Sequence, residues 1–279
     1  MKLLIILLII IIILFFLNLV LLKDRYSSLN NYTLKDDGVI VIQNVLLENE
    51  INYLKNLSDN NDYKKVKKTI IHNEKIQKII YDKLGDGYQF HDYIFIIKKS
   101  AIHTCHRDAN GDFFNNIKNP SYTMIIYLDD MEKCLGVIPK SHTDPSSFGI
   151  NTNNEVINVL CKKGDILLFN ANTIHVGTIN NIPNNLRIQM KVSHKDDISN
   201  LKYYTNYNKI LKEENNIPDS LKKISQNLSC MFPFVSNLTQ NDIKKSGSIK
   251  SSNDLSFSEK MFSYIFYSKS DYYNLPNAF

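Results

Sequence analysis

His106 and Asp108 stand two residues apart, with side chains of the kinds that bind one metal ion together. In extended backbone, residues i and i+2 point to the same side, so an imidazole nitrogen and a carboxylate oxygen reach a common cation without a bend in the chain. An apolar strand predicted over residues 93–97 precedes the pair, and Gly111 closes the segment. The pair alone is weak evidence for a metal site, because a chain with 7 His and 28 Asp and Glu residues contains such pairs by chance.

A second histidine and an arginine follow at a spacing that strengthens the metal interpretation. The sequence predicts an apolar strand over residues 166–169, and His175 lies just after it. Arg187 then opens another apolar strand, over residues 187–192. Two histidines and one carboxylate on one face of a metal leave positions open for other ligands, which is the arrangement of non-haem Fe(II) oxygenases. An arginine binds a carboxylate, such as the remote carboxylate of 2-oxoglutarate, through two parallel hydrogen bonds.

These residues belong to an ordered set of motifs that resembles a known family. The set runs through residues 34–42, His106 to Asp108, residues 136–142, residues 164–169, His175 and Arg187. In this order the chain resembles the Fe(II)/2-oxoglutarate-dependent dioxygenases, most closely the phytanoyl-CoA dioxygenase-like branch, over about residues 33–195. One departure is Val176, which separates His175 from Gly177, whereas the family often has glycine directly after the distal histidine.

The resemblance implies a role for each site residue. It makes His106, Asp108 and His175 the ligands of Fe(II). It makes Arg187 the residue that holds the far carboxylate of 2-oxoglutarate, with Gln189 as a helper, and an ordinary surface arginine is the alternative for Arg187. O2 is the second co-substrate, and ascorbate is an optional reductant. The implied reaction is hydroxylation with release of succinate and CO2, because related halogenases carry a small residue in place of Asp108.

Three other histidines compete with His175 for the third ligand position. His142 follows a Pro-x-Ser turn, which the family places outside the metal site, and His194 comes too late in the family's order. His103 lies an odd number of residues from Asp108, so alternation turns it to the other face of an extended segment. We therefore predict that His175 is the ligand.

The spacing of apolar residues predicts a mainly β fold with flanking helices. Helical spacing indicates helices over residues 47–57 and 76–84, with a polar loop over residues 59–68 between them. Short strands are predicted at residues 88–97, 122–128, 135–138, 156–160, 166–169 and 186–192. Many short strands behind leading helices favour a double-stranded β-helix, the cupin-like jelly-roll. The strand residues Tyr93, Lys98 and Thr123 are equally compatible with lining the site and with ordinary strand positions.

The chain divides into four predicted segments. Residues 1–22 are a transmembrane signal anchor, residues 23–32 a tether, residues 33–200 the double-stranded β-helix oxygenase domain, and residues 201–279 a helical, aromatic-rich C-terminal extension. Within the extension, helices are predicted over residues 201–214, 219–226 and 257–268. We expect the extension to pack against the barrel or on a partner.

The anchor is predicted from the apolar run over residues 3–22, which only Asn18 interrupts. A helix of about 20 residues crosses the roughly 30 Å hydrocarbon core of a membrane. A signal peptide has a shorter apolar region, about 7–15 residues, that ends in small residues. We therefore expect an uncleaved, single-pass anchor, with a cleaved signal as the alternative. Lys2 flanks one end, and Lys23 and Arg25 flank the other, so the orientation stays open.

Charge and cysteine content limit the kinds of partner that we expect, but they do not indicate the substrate. The net charge of +5 is dispersed and forms no basic stripe with aromatic residues, which argues against nucleic acid. The 4 cysteines form no C-x-x-C motif, so their pairing stays open, as does the oligomeric state. The substrate classes left open are a small molecule, a lipid, a glycan and a peptidyl side chain. Two non-enzymatic alternatives are a binding jelly-roll without catalysis and a membrane-tethered scaffold with an inactive oxygenase fold.

Overall fold

The computed structural model describes residues 2–21, 25–27, 31–99, 105–131, 133–144, 156–178, 185–212 and 218–232, together with residues 257 and 261. Within these residues the α-helices are α1 (Lys2–Leu21), α2 (Glu48–Asp59), α3 (Tyr63–Ile71), α4 (Glu74–Leu84) and α5 (Asp219–Met231). The strands are β1 (Arg25–Ser27), β2 (Val39–Ile42), β3 (Tyr88–Phe90), β4 (Tyr93–Lys99), β5 (Tyr122–Tyr127), β6 (Leu135–Val137), β7 (Ile157–Val159), β8 (Ile166–Asn170), β9 (His175–Gly177), β10 (Arg187–His194) and β11 (Tyr207–Lys212). Short 3-10 helices cover Asp112–Phe114 and Ile198–Tyr204.

The described strands form two sheets. The large sheet has the strand order β11-β4-β10-β5-β8-β2, and β3 pairs with the C-terminal end of β10. The small sheet has the order β1-β7-β6-β9. Strand β11 runs parallel to β4 and β1 runs parallel to β7, whereas the other pairs are antiparallel. The strand β1 therefore lies within the segment that was predicted to be a tether.

Helices α2, α3 and α4 cover the outer face of the large sheet. Three alternate residues of β10, Ile188, Met190 and Val192, belong to the buried cluster that these helices share with the sheet. Because successive strand residues point to opposite faces, Arg187 and Lys191 turn to the inner face. The apolar alternation of β10 thus places two cations on the side of the sheet that faces away from the helices.

The inner face of the large sheet packs on the small sheet. One buried cluster joins residues of both sheets: Ile125, Tyr127, Leu167 and Phe169 from the large sheet, and Leu135, Val137 and Val159 from the small sheet. The fold is therefore mainly β with flanking helices, which confirms that part of the prediction. The two facing sheets are consistent with a jelly-roll-like oxygenase fold.

Helix α3 begins inside residues 59–68, which the sequence predicted to be a loop. Asp62 caps the helix by accepting a hydrogen bond from the backbone nitrogen of Lys65, at 3.2 Å. Tyr63, Val66 and Ile70 are buried at a spacing of three and four residues. This narrow apolar stripe is sufficient to dock the helix, although most of its remaining residues are lysines that the pattern of overall polarity assigned to a loop.

The helix predicted over residues 201–214 is wrong. The structure has the 3-10 helix Ile198–Tyr204 and then strand β11, which pairs with β4 at the end of the large sheet. Pairing satisfies the backbone groups that β4 would otherwise expose at a sheet edge, and this tertiary contact overrides local helical spacing. The helix predicted over residues 219–226 is present as α5. The one predicted over residues 257–268 lies outside the described residues except at 257 and 261.

The predicted membrane anchor over residues 3–22 is wrong on this structure. In the described part of the chain, no helix combines the length and the apolar character needed to cross a membrane. The same finding contradicts the predicted single-pass membrane localisation, and it gives no support to the membrane as a partner.

Candidate metal centre

His106 and His175 are neighbours across an antiparallel bridge. The backbone nitrogen of His106 donates to the carbonyl oxygen of His175, and the nitrogen of His175 donates to the oxygen of His106, both at 2.9 Å. Two residues that exchange both hydrogen bonds stand directly opposite each other, with their side chains on the same side. The two imidazole rings are accordingly 4.3 Å apart between their centroids. The bridge joins the segment of the H-x-D pair to strand β9.

Asp108 completes a cluster with the two histidines. Its backbone nitrogen donates to the oxygen of Ala171 at 2.9 Å, which continues the contact between the two segments. Ligand atoms of His106, Asp108 and His175 all lie within 4.8 Å of one another. Two atoms that each ligate one ion at about 2.1 Å are at most about 4.2 Å apart, so a small adjustment of side chains brings all three to a common ion. The donor set is two imidazoles and one carboxylate.

A backbone hydrogen bond selects the tautomer of His175. Its Nδ1 lies 2.9 Å from the carbonyl oxygen of Thr173. A carbonyl oxygen only accepts, so Nδ1 carries the proton and Nε2 keeps its lone pair, 3.8 Å from Oδ1 of Asp108. Burial, followed by the charge of His106, lowers the pKa of His175 to about 3. The ring is therefore neutral near pH 7 and presents Nε2, which is the form that ligates a metal.

The second oxygen of Asp108 is held by residues of the large sheet. Oδ2 accepts from Thr123 Oγ1 at 2.5 Å and lies 2.5 Å from Nζ of Lys191, which also donates to Thr123 at 2.8 Å. Thr123 and Lys191 are directly paired residues of β5 and β10. Burial raises the pKa of Asp108, but the charges of Lys191 and of the histidines outweigh it and hold that pKa below its usual range. The carboxylate stays ionised and is oriented at one oxygen.

Lys191 is the residue that the sequence reasoning missed. Its side chain is buried, and burial lowers its pKa although Asp108 opposes the shift. Its Nζ also lies 5.6 Å from the centre of the Tyr93 ring. Its position in β10 could have indicated its role, because it shares the inner face of the strand with Arg187 and Gln189. A lysine at an inward strand position needs an anionic partner.

Arg187 lies on the inner face, as its place in the strand predicted. It is 8% exposed, and its Nη1 donates to the backbone oxygen and to Oδ1 of Asn185, both at 3.1 Å. Among the described residues, no carboxylate lies within 4.0 Å of its guanidinium group. Tyr127, its direct partner on β5, has a buried hydroxyl that forms no hydrogen bond to the described residues. An inward arginine thus stands beside an unsatisfied hydroxyl.

The remaining candidates lie elsewhere. His142 is buried with Nε2 3.1 Å from the backbone oxygen of Lys35, and His194 contacts Asp196. His103 lies outside the described residues. The ammonium group of Lys98 donates to the backbone oxygen of Asp59, the last residue of α2. Thr123, one of the three undecided strand residues, contacts the predicted ligand Asp108.

The comparison with protein families covers the three residues of the His106, Asp108 and His175 cluster. A sequence model described as phytanoyl-CoA dioxygenase (PhyH) matches residues 22–182, which is more than half of the chain. The chain belongs to the phytanoyl-CoA dioxygenase family. The three clustered residues lie inside the matched range, whereas Arg187 and Lys191 lie beyond it. Fe(II) and 2-oxoglutarate are the metal and co-substrate of this family, and the His-Asp-His cluster is a donor set that fits Fe(II).

Solved structures similar to this phytanoyl-CoA dioxygenase family member include proteins that depend on 2-oxoglutarate, also called α-ketoglutarate, or have it bound. The α-ketoglutarate-dependent epimerase SnoN from nogalamycin biosynthesis has a TM-score of 0.47 at 16% identity, covering 58% of this chain and 78% of SnoN. HygX from Streptomyces hygroscopicus, with nickel and 2-oxoglutarate bound, has a TM-score of 0.44 at 12% identity, covering 58% and 84%. EvdO2 from Micromonospora carbonacea var. aurantiaca, complexed with 2-oxoglutarate, has a TM-score of 0.45 at 12% identity, covering 57% and 87%. No curated protein matches the sequence.

Proposed function

We propose that this protein is an Fe(II)- and 2-oxoglutarate-dependent dioxygenase that hydroxylates a small-molecule, lipid or peptidyl substrate and releases succinate and CO2. The observation that carries the proposal is the buried cluster of His106, Asp108 and His175, whose ligand atoms lie within 4.8 Å of one another. Membership of the phytanoyl-CoA dioxygenase family supports the same chemistry.

The two carboxylate oxygens of Asp108 contact different partners, which supports different roles for them. Oδ1 faces Nε2 of His175, whereas Oδ2 is engaged by Lys191 and Thr123. The metal would therefore bind through Oδ1 alone, together with one nitrogen of each histidine. Three protein ligands leave room on Fe(II) for the co-substrate and O2. When bound, Fe(II) and 2-oxoglutarate supply the oxidising power for hydroxylation, coupled to decarboxylation of the co-substrate.

The inner face of β10 supports a place for 2-oxoglutarate. Arg187 is buried without a carboxylate partner among the described residues, so it offers its guanidinium group to the far carboxylate. The unsatisfied hydroxyl of Tyr127, which pairs with Arg187 across the two strands, is a second donor for the same carboxylate. Gln189 lies on the same face and is half-buried. Arg187 lies four residues before Lys191, which contacts Asp108, and residues four apart on a strand are about 13 Å apart. This distance leaves space for a five-carbon diacid between Arg187 and the metal ligands.

Asp108 favours hydroxylation over halogenation. A halide at the metal would take the place of the carboxylate, and here that carboxylate is present, ionised and held by two donors. With the carboxylate in that position no halide would bind there, so the expected product is an alcohol rather than a halogenated compound.

One observation favours a second candidate, a non-catalytic binding protein with an inactive oxygenase fold. The ammonium group of Lys191 already balances the charge of Asp108, so the buried carboxylate has a cation without any metal. In such a protein the ion pair would be purely structural, and neither metal nor 2-oxoglutarate would bind.

The test is succinate release from 2-oxoglutarate by the full chain with Fe(II) and ascorbate. Enzymes of this kind consume 2-oxoglutarate slowly without their substrate, so the assay needs no substrate identity. We expect slow succinate release that requires Fe(II) and is absent in His175→Ala. A wild-type protein that binds neither Mn(II) nor 2-oxoglutarate would favour the binding protein.

A further inference from the structure

Helix α5 contacts the metal-ligand segments, although it lies beyond the part of the chain that matches the family. Cys230 of this helix forms a disulfide with Cys105, over a sequence separation of 125 residues and with 4.8 Å between the Cα atoms. One residue earlier, the hydroxyl of Ser229 accepts a hydrogen bond from the backbone nitrogen of Cys105 at 2.8 Å. Gln226, one turn earlier, donates from Nε2 to the carbonyl oxygen of Gly177 at 3.0 Å.

These contacts fall on both strands of the histidine bridge. Cys105 immediately precedes His106, and Gly177 lies two residues after His175. One face of α5 therefore holds the two segments whose backbone hydrogen bonds bring the imidazole rings together. The helix touches each segment within two residues of a predicted ligand.

The attachment is buried and has its polar groups satisfied. Cys105 and Cys230 belong to one apolar cluster, which also contains Ile138, Ile174 and Val176 from the segments around β6 and β9. The hydroxyl of Ser229 accepts from Cys105 and donates to the backbone oxygen of Gln226 at 2.7 Å, so both of its functions are used. A buried, satisfied contact of this kind restricts the segments that it joins.

We propose that α5 is a positioning element of the metal centre and that the Cys105–Cys230 disulfide holds His106 in its bridge with His175. The inference rests on the proposed function for the role of the metal, and on the described contacts for the positioning. The other cysteines, Cys134 and Cys161, are free thiols, so this disulfide is the redox-sensitive link among the described residues. Reduction by a dithiol such as dithiothreitol breaks the S–S bond, gives two thiols and leaves the reductant as its cyclic disulfide.

The experiment compares oxidised and reduced full-length protein in three measurements. Peptide mapping without reductant should yield one linked peptide pair containing Cys105 and Cys230, with Cys134 and Cys161 alkylated. Mn(II) binding, followed by electron paramagnetic resonance, should weaken by about 10-fold or more on reduction, which is the usual effect of groups that orient metal ligands. Hydrogen exchange should become faster at the backbone amides of His106 and His175, which donate the bridge bonds.

Matched variants separate positioning from general damage. Cys230→Ser should reproduce the reduced protein and make Mn(II) binding insensitive to dithiothreitol. Cys134→Ser changes a free, buried thiol of a different apolar cluster and should keep both the affinity and its response to reductant. Gln226→Ala leaves the disulfide intact and should speed exchange at the amide of His175 more than at that of His106.

The possible failures are distinguishable. A missing linked peptide overturns the inference, and so does a reduced protein with unchanged Mn(II) affinity and unchanged bridge amides, even if its melting temperature falls. An oxidised wild-type protein that does not bind Mn(II) at all contradicts the proposed function instead. In that case the exchange of the bridge amides still tests whether α5 holds the two segments together.

Discussion

Lys191 and Asp108 form a buried ion pair, with Nζ of the lysine 2.5 Å from Oδ2 of the aspartate. Both side chains are almost inaccessible to solvent, at 2% and 10% exposure. The desolvation of such a pair consumes much of its Coulombic attraction, so it adds little net stability, but removing one partner leaves a buried, uncompensated charge. Thr123 donates to the same oxygen. Because both contacts are made by Oδ2, they leave Oδ1 available to a metal ion.

Lys191→Met should therefore destabilise the metal-free protein by about 3–5 kcal/mol, because the carboxylate of Asp108 loses its cation. A divalent ion replaces that cation, so Mn(II) should raise the stability of the variant more than that of the wild type. Urea unfolding with and without Mn(II) measures both effects. Lys55→Met is the control, because its pair with Asp129 is partly exposed and should contribute only about 0–1 kcal/mol. Equal stability of Lys191→Met and wild type would contradict the prediction.

His175→Ala should abolish binding of Fe(II) or Mn(II), because the variant loses the nitrogen that faces Asp108. His142→Ala is the matched control and should bind metal normally, since its ring contacts the backbone of Lys35 instead. Isothermal titration with Mn(II) measures both variants. A loss of about 10-fold or less in His175→Ala would argue that another residue is the ligand.

Arg187→Lys should weaken 2-oxoglutarate binding to the Mn(II)-loaded protein by about 10- to 100-fold. The lysine keeps the charge but loses the two-point hydrogen bonding to the carboxylate, and hydrogen bonds to charged groups contribute roughly 1.5–3 kcal/mol each. Mn(II) affinity without 2-oxoglutarate should change little, because the metal ligands are other residues. The prediction fails if 2-oxoglutarate affinity is unaltered.

Tyr127→Phe tests the proposed second donor to the far carboxylate of 2-oxoglutarate, the hydroxyl of Tyr127. The hydroxyl has no partner among the described residues, so removing it should leave the stability of the protein without 2-oxoglutarate unchanged or slightly higher. The affinity for 2-oxoglutarate should fall by about 10-fold if the hydroxyl donates to its carboxylate. Thermal unfolding and titration with 2-oxoglutarate measure the two quantities. A variant with lower stability and normal affinity would assign the hydroxyl to the fold.

His91 should make the metal-free protein less stable in acid. Burial, and then the charge of Lys191, lowers its pKa to about 4, and its Nε2 contacts Ser193 at 2.7 Å. Between about pH 6.5 and 4 the unfolded chain binds a proton here that the folded chain does not, so stability falls as the pH falls through this range. The loss should approach about 3 kcal/mol at pH 4. Urea unfolding across pH should show a shallower slope for His91→Gln, and an unchanged slope would exclude His91 as the cause.

Side-chain direction along a strand was predictable from the sequence, because it depends only on local backbone geometry. The alternation of β10 indicated that Ile188 and Met190 share one face, and both pack under the helices. The same rule placed Arg187 inward and brought His106 and Asp108 to one side of their segment. The ordered motifs also identified the family, which the match over residues 22–182 confirms.

Only the tertiary structure decided the contacts between segments that are distant in sequence. The bridge of His106 with His175 and the pair of Lys191 with Asp108 depend on which strands become neighbours, and no local pattern encodes that choice. Strand β11 is the clearest case, because residues with helical spacing became a strand where the edge of β4 offered unpaired backbone groups. The disulfide of Cys105 with Cys230 likewise follows from the packing of α5, since cysteine spacing alone allows several pairings.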